Sequence, residues 1–166
     1  MMGLDPALEW LQATSIATAI RENEILFPWI ESVHVLALVM VVGTISIVDL
    51  RLIGAASRER PVARLLREVL PYTWAAFALA AVTGTLLFSS NAVNYAGNGY
   101  FRGKVVLLGV AGINMAIFHL FIGRDVARWS AGGGLPWAAR AAGAVSLCLW
   151  IAVVACGRWI GFTIQH

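Results

Sequence analysis

The sequence predicts an all-α integral membrane protein, a four-transmembrane-helix bundle with an N-terminal interfacial amphipathic helix. Three observations carry that expectation. Of the 166 residues, 60% are hydrophobic and only 13% charged, about half the charged share of a soluble domain. The apolar residues fall into four runs, at about 28–50, 72–90, 104–122 and 138–160, each close to the roughly 20 residues that a hydrocarbon core requires. The twelve basic residues are unevenly placed between the runs. Arg51, Arg58, Arg60, Arg64, Arg67, Arg124, Arg128 and Arg140 fall in or beside the first and third connections; Arg21, Arg102, Lys104 and Arg158 lie at the other ends. The positive-inside rule then places both termini outside and the two arginine-rich connections in the cytoplasm.

Residues 1–26 form the interfacial helix. Leu4, Leu8, Leu11 and Ser15 share a helical face, and Asp5-Pro6 is a helix-start signal with proline at the first helical position. Arg21-Glu22-Asn23-Glu24 is too polar to cross, and Phe27-Pro28-Trp29 turns the chain into the bilayer with an aromatic at headgroup level. The opening residues lack the basic start and short apolar core of a cleaved signal, so the first helix is expected to be retained. The bundle proper is residues 27–166.

Between Ser32 and Val48 the first span carries one ionisable side chain, His34. An ionisable group at that depth is costly unless paired, ligated or hydrated. Imidazole is the usual protein ligand of haem iron and a common ligand of copper, and it serves equally as a hydrogen-bonded structural group. Glu31, one turn nearer the water, is placed to orient the ring through its second nitrogen. Asp49 and Arg51 at the far end read as structural, paired with each other or with neighbours. The first connection predicts a short basic amphipathic helix starting near Pro61 and ending before Pro71.

The second span is rich in alanine around Gly84, as close helix packing or a flat cofactor requires. The connection 89–103 combines Gly and Asn with interfacial Tyr and Phe; its Gly97-x-Gly99 follows no strand and is no dinucleotide signature. In the third span Gly112, Met115 and His119 share a face. Residues 131–136 read as a flexible turn, and His166 as a frayed terminus.

Depth separates the two buried histidines. At 1.5 Å per residue His34 lies roughly 9 Å below Pro28 and His119 roughly 22 Å below Lys104, so the expectation is two sites, one in each leaflet. Met40, roughly 18 Å deep by the same count, is a candidate partner for His119. Arg102, Lys104 and Arg21 are placed to meet haem propionates near His34; Arg51, Arg64 and Arg124 are placed to do so near His119. Cys148 and Cys156 are eight residues apart on one predicted helix, roughly 12 Å, and cannot bridge each other. There is no Ser-His-Asp set, HExxH or CxxC to support hydrolytic or zinc chemistry, and no basic stripe with interleaved aromatics to bind nucleic acid.

The pattern of His34, Gly43, Asp49-Leu50-Arg51-Leu52, Thr83-Gly84 and Phe101-x-x-Lys104 leading to His119 resembles small four-helix bacterial membrane proteins of the HemJ-type protoporphyrinogen oxidase and CopD-like group. The likeness covers about residues 28–119. It implies that His34 takes the place of the histidine associated with b-type haem and Lys104 that of the lysine entering the third span. The first-span exit, Val48-Asp49-Leu50-Arg51-Leu52-Ile53-Gly54, departs from the aromatic and proline-rich exit of the oxidases. The resemblance therefore implies a haem-binding bundle rather than that particular reaction.

The expected function is that of a bacterial inner-membrane protein with periplasmic termini, binding one or two haem b per chain. His34 is the first candidate ligand and His119 the second, with Met40 and Met115 beside them and Glu31, Arg102 and Lys104 around them. Such a protein would move electrons within or across the membrane, linked to quinone or a redox partner protein, with a homo-oligomer completing any ligand set that one chain leaves short. If it is an enzyme, it would be a haem-dependent membrane oxidoreductase. Two other readings stand beside this one: a CopD-like copper-handling protein using His34, His119, Met40, Met115 and Cys148, and a non-catalytic scaffold subunit.

Overall fold

The computed structural model describes residues 5–56, 59–122, 126 and 135–163. It consists of helices α1 (Asp5–Gln12), α2 (Ser15–Glu22), α3 (Leu26–Ile53), α4 (Val62–Ser90), α5 (Ala92–Gly97), α6 (Gly99–Ile117) and α7 (Trp137–Thr163). Four segments, Leu26–Ile53, Val62–Ser90, Gly99–Ile122 and Trp137–Thr163, are long and apolar enough to cross a membrane. Leu36, Val39, Val106, Ile113 and Ile151 on their outer faces are exposed. That is the expected state of side chains whose solvent is lipid, because a helix satisfies its own backbone and can turn apolar groups outward there.

The helices form an open arc. Helix α3 packs along both α4 and α7, and α7 along α6, while α4 and α6 scarcely touch. Small residues make the close approaches possible. A Cβ on Gly143 of α7 would lie 2.9 Å from Leu52 Cβ and 3.1 Å from the Asp49 carbonyl oxygen, so only glycine lets α3 and α7 cross there. Val41, Ala76, Trp150 and Val153 form one buried cluster in the bundle; Leu52, Val62, Phe118, Ala139 and Ala142 form another near the end that carries Arg51, Arg60 and Arg64. We call this the arginine end.

The opposite end is capped by α1, α2 and α5. The expected single N-terminal helix is two, because Thr14 takes an extended conformation and its hydroxyl accepts from Ala17 N–H to start α2. Arg21 then donates to the carbonyls of Gln12 and Ser90, each at 3.2 Å, tying α2 to the end of α4. Ala17, Ile20 and Ala92 are buried beneath this cap. Asn98 starts α6 by accepting from Tyr100 and Phe101 N–H, and its amide donates to Thr163 at the end of α7.

Several expected boundaries are corrected. The basic segment does not stop before Pro71; α4 runs unbroken from Val62 to Ser90 with Pro71 inside it. Proline removes one N–H donor, a loss that a long helix tolerates when packing on both sides holds its axis. At about 43 Å, α4 exceeds the roughly 30 Å hydrocarbon core, so its arginine-bearing first turns extend past it. The connection 89–103 is mostly helical, as α5 and the first turn of α6, and the third span starts at Gly99 rather than Lys104. Helix α3 begins two residues before Pro28, which sits in the first turn where its missing N–H has no helical partner to lose. Gly54 closes α3 in the left-handed region, φ 86°, its N–H meeting the Leu50 and Arg51 carbonyls. Arg58, Arg124, Arg128, His166 and most of the predicted turn at 131–136 lie outside the described residues.

Candidate functional site

Four spans bring chemistry-bearing side chains to a similar level below the cap. His34 lies eight residues into α3, Thr83 seven from the end of α4, Lys104 five into α6 and Cys156 seven from the end of α7, so each is roughly 8–12 Å from its helix end.

His34 Nδ1 is 2.9 Å from Thr83 Oγ1. The Thr83 hydroxyl also lies 2.7 Å from the Leu79 carbonyl, and the Ala80 backbone bonds the imidazole as well. With the hydroxyl proton given to Leu79, the Thr83 oxygen accepts from His34 Nδ1–H, and the ring takes the tautomer whose Nε2 carries a lone pair. Gly84 gives it room: a Cβ there would stand 3.0 Å from His34 Cε1. Lys104 is close enough for its charge to act on the ring. Its stem is half-buried, with Nζ 3.7 Å from where a Cβ of Gly157 would be.

The remaining candidates near this end are placed differently. Glu31 does not orient the imidazole; Thr83 does, while Glu31 is exposed and its charge acts on Tyr95. The imidazole reaches across to α4 and is engaged there by Thr83. Burial pushes the Tyr95 phenol above its ordinary value, with Glu31 adding to the effect. Tyr95 closes the capped end together with Phe88 and Phe101, whose rings stack at 5.2 Å. Arg21 is engaged with backbone carbonyls and Arg102 is exposed, whereas the charge of Lys104 acts on the imidazole.

Toward the arginine end, the divergence of α4 and α6 opens a slot of about 160 Å³. Its walls include Trp74, Phe77, Phe118 and Trp150, and its polar lining comes from Asp49, Thr73, Asn114, His119 and Ser146. Gly112, Met115 and His119 line it together, as their shared helical face predicts. Past Ile117 the helix widens into a π-turn, Phe118–Ile122. Phe118 is buried there, and His119 is left exposed at the rim with Nδ1–H donating to the Met115 carbonyl at 3.0 Å. Met40 is exposed and outside the slot, so it is no partner for His119. Cys148 is exposed as well.

Asp49 is the residue that sequence reasoning undervalued. It is only 4% exposed, Ser146 is its hydrogen-bonding neighbour, and its Oδ2 has no partner among the described residues. Asp49 and Arg51 do not pair with each other; each bonds a neighbour, Asp49 with Ser146 and Arg51 donating to the Arg60 carbonyl at 2.8 Å. One signal was available: an acidic residue a full turn inside an apolar helix end, two positions from arginine, faces away from it on a helix. Among the described residues no three His, Cys, Asp or Glu side chains gather as a metal cluster would require.

Fold and site together define a membrane-spanning helical bundle with an oriented imidazole below a helical cap and a separate acidic slot between two of its helices. The chain belongs to the family described as a family of unknown function, DUF6644, which matches residues 8–163 and so takes in both features. No curated protein and no solved structure matches it.

Proposed function

We propose that this protein binds b-type haem through His34 and transfers electrons in the bacterial inner membrane, linked to quinone. The observation that carries the reading is the 2.9 Å contact that holds His34 Nδ1 against Thr83 Oγ1. An imidazole that ligates iron needs a free Nε2 lone pair and a fixed ring, and ligating histidines are typically fixed by an acceptor at the other nitrogen. Thr83 is that acceptor. Gly84 makes room for the imidazole, which packs where a Cβ would stand, and Lys104 is a cation available to a propionate. Bound there, haem would supply a one-electron couple. Haem needs only one or two protein ligands, which suits the scattered histidines better than copper, whose ligands would have to converge. One ligand from this chain leaves the sixth position to solvent or to a second subunit, and a homo-oligomer follows from the latter.

The positive-inside rule supports a cytoplasmic side for the arginine end, with the cap and both termini periplasmic. The test is an oxidised and dithionite-reduced absorption spectrum of detergent-purified protein expressed with ample haem supply. The expected result is a Soret band with sharp reduced α and β bands, both lost in His34→Ala. A colourless wild-type protein refutes the reading.

A further inference from the structure

We propose that the slot between α4 and α6 is a binding site for the headgroup of a lipid-tailed single-ring quinol, held between Asp49 and His119. Two independent observations point to a ligand. One is the slot itself, open where two neighbouring spans diverge, so that a molecule dissolved in the bilayer enters from the side. The other is Asp49, a residue of the slot lining whose buried Oδ2 is without a partner among the described residues. A buried carboxyl oxygen left unbonded costs on the order of 1–3 kcal/mol, and more when charged, so the fold holds in place a polar atom that a ligand would satisfy.

The lining selects the ligand's chemistry. Trp74, Phe77 and Trp150 offer aromatic surfaces suited to a flat ring. The volume, about 160 Å³, falls below the roughly 300–1,000 Å³ of sites for drug-sized molecules, so it admits one ring and excludes a macrocycle. The His119 end of the lining is an acceptor. His119 donates Nδ1–H to the Met115 carbonyl, which leaves its neutral ring only a lone pair at Nε2. Asn114 donates one amide hydrogen to the Ala142 carbonyl at 3.1 Å and keeps a second. A molecule able to bond at both ends must therefore donate a hydrogen to His119, and a hydroxyl at its other end meets Asp49 whether the carboxyl is ionised or protonated. A quinol has both hydroxyls; a quinone has neither.

The proposal deepens the quinone-linked reading above and rests on it for the physiological role of the ligand, but binding is measured without reference to haem. Wild-type protein in nanodiscs is titrated anaerobically with decyl-ubiquinol while tryptophan emission is followed, since Trp74 and Trp150 line the slot. The companion titration uses the same molecule with both hydroxyls methylated. The expected result is saturable quenching by the quinol, weakened about tenfold or more by methylation and weakened similarly in Asp49→Leu and His119→Phe. Because the methylated probe is tested on unaltered protein, misfolding of a variant does not obscure the outcome. Equal binding of the two probes, or quenching that never saturates, overturns the proposal. Saturable, methylation-sensitive quenching in a colourless protein supports the slot and removes the haem reading; a haem protein without such quenching does the reverse.

Discussion

At the scale of single residues, the account turns on how two histidines are bonded. Both donate Nδ1–H, His34 to a hydroxyl on a neighbouring helix and His119 to a carbonyl of its own helix. The first arrangement ties the ring to bundle packing; the second leaves it at the rim of a slot. Thr83→Val keeps the shape of the side chain and removes the acceptor, so retention of haem during purification should fall about 10–100-fold in affinity terms, with a shifted reduction potential. A Thr83→Val protein that holds haem as tightly and at the same potential as wild type would show that Thr83 does not position the ligand. Of these residues, His34, His119, Met115 and Lys104 were legible in sequence because each is an unusual side chain in an apolar run. The roles of Thr83 and Asp49 were not, because a threonine hydroxyl commonly bonds within its own helix, and only the packing of α3 on α4 and α7 shows which groups meet.

At the scale of elements, the positions of helix ends and crossings follow from local chemistry. Gly143 is where α7 meets α3, and any side chain there strikes Leu52 and the Asp49 backbone. Gly143→Leu is therefore expected to cost about 1–3 kcal/mol through overpacking. It should lower the midpoint of thermal unfolding in detergent and disturb the Asp49 side of the slot; an unchanged midpoint would place the crossing elsewhere. Asn98→Ala removes both the N-cap of α6 and its bond to Thr163, with an expected loss of about 0.5–2 kcal/mol, read in the same melt. Hydropathy located the four spans and missed their true lengths. A window of apolar residues reports the hydrocarbon core alone, whereas α4 continues through Pro71 into charged sequence and α6 begins with Gly99 and Tyr100 in the interfacial layer. The cap of α1, α2 and α5 was only half legible, since its break at Thr14 depends on a capping bond.

At the scale of the whole molecule, the open arc of helices separates two kinds of surface. The capped end closes over His34, and the divergence of α4 and α6 leaves His119 exposed at the rim of the slot with Asp49 buried along its lining. Charge asymmetry predicts an orientation with the arginine end inside, and this can be checked apart from any cofactor. Cysteines introduced singly at Glu24 and at Glu59, in a background lacking Cys148 and Cys156, should be labelled by a membrane-impermeant maleimide in whole cells at Glu24→Cys only. Labelling of Glu59→Cys alone would invert the topology. The class of the fold was legible from composition and charge, because both report the solvent of the outer surface. The separation of the two sites depends on which helix pairs touch, and no periodicity in one chain states that.

The most direct test of the central claim is the ratio of haem to protein by pyridine haemochrome in wild type, His34→Ala and His119→Ala, each purified under the same haem supply. The account predicts about one haem per chain in the wild type, a similar value in His119→Ala and almost none in His34→Ala. Haem retained in His34→Ala, or lost in His119→Ala alone, would contradict it.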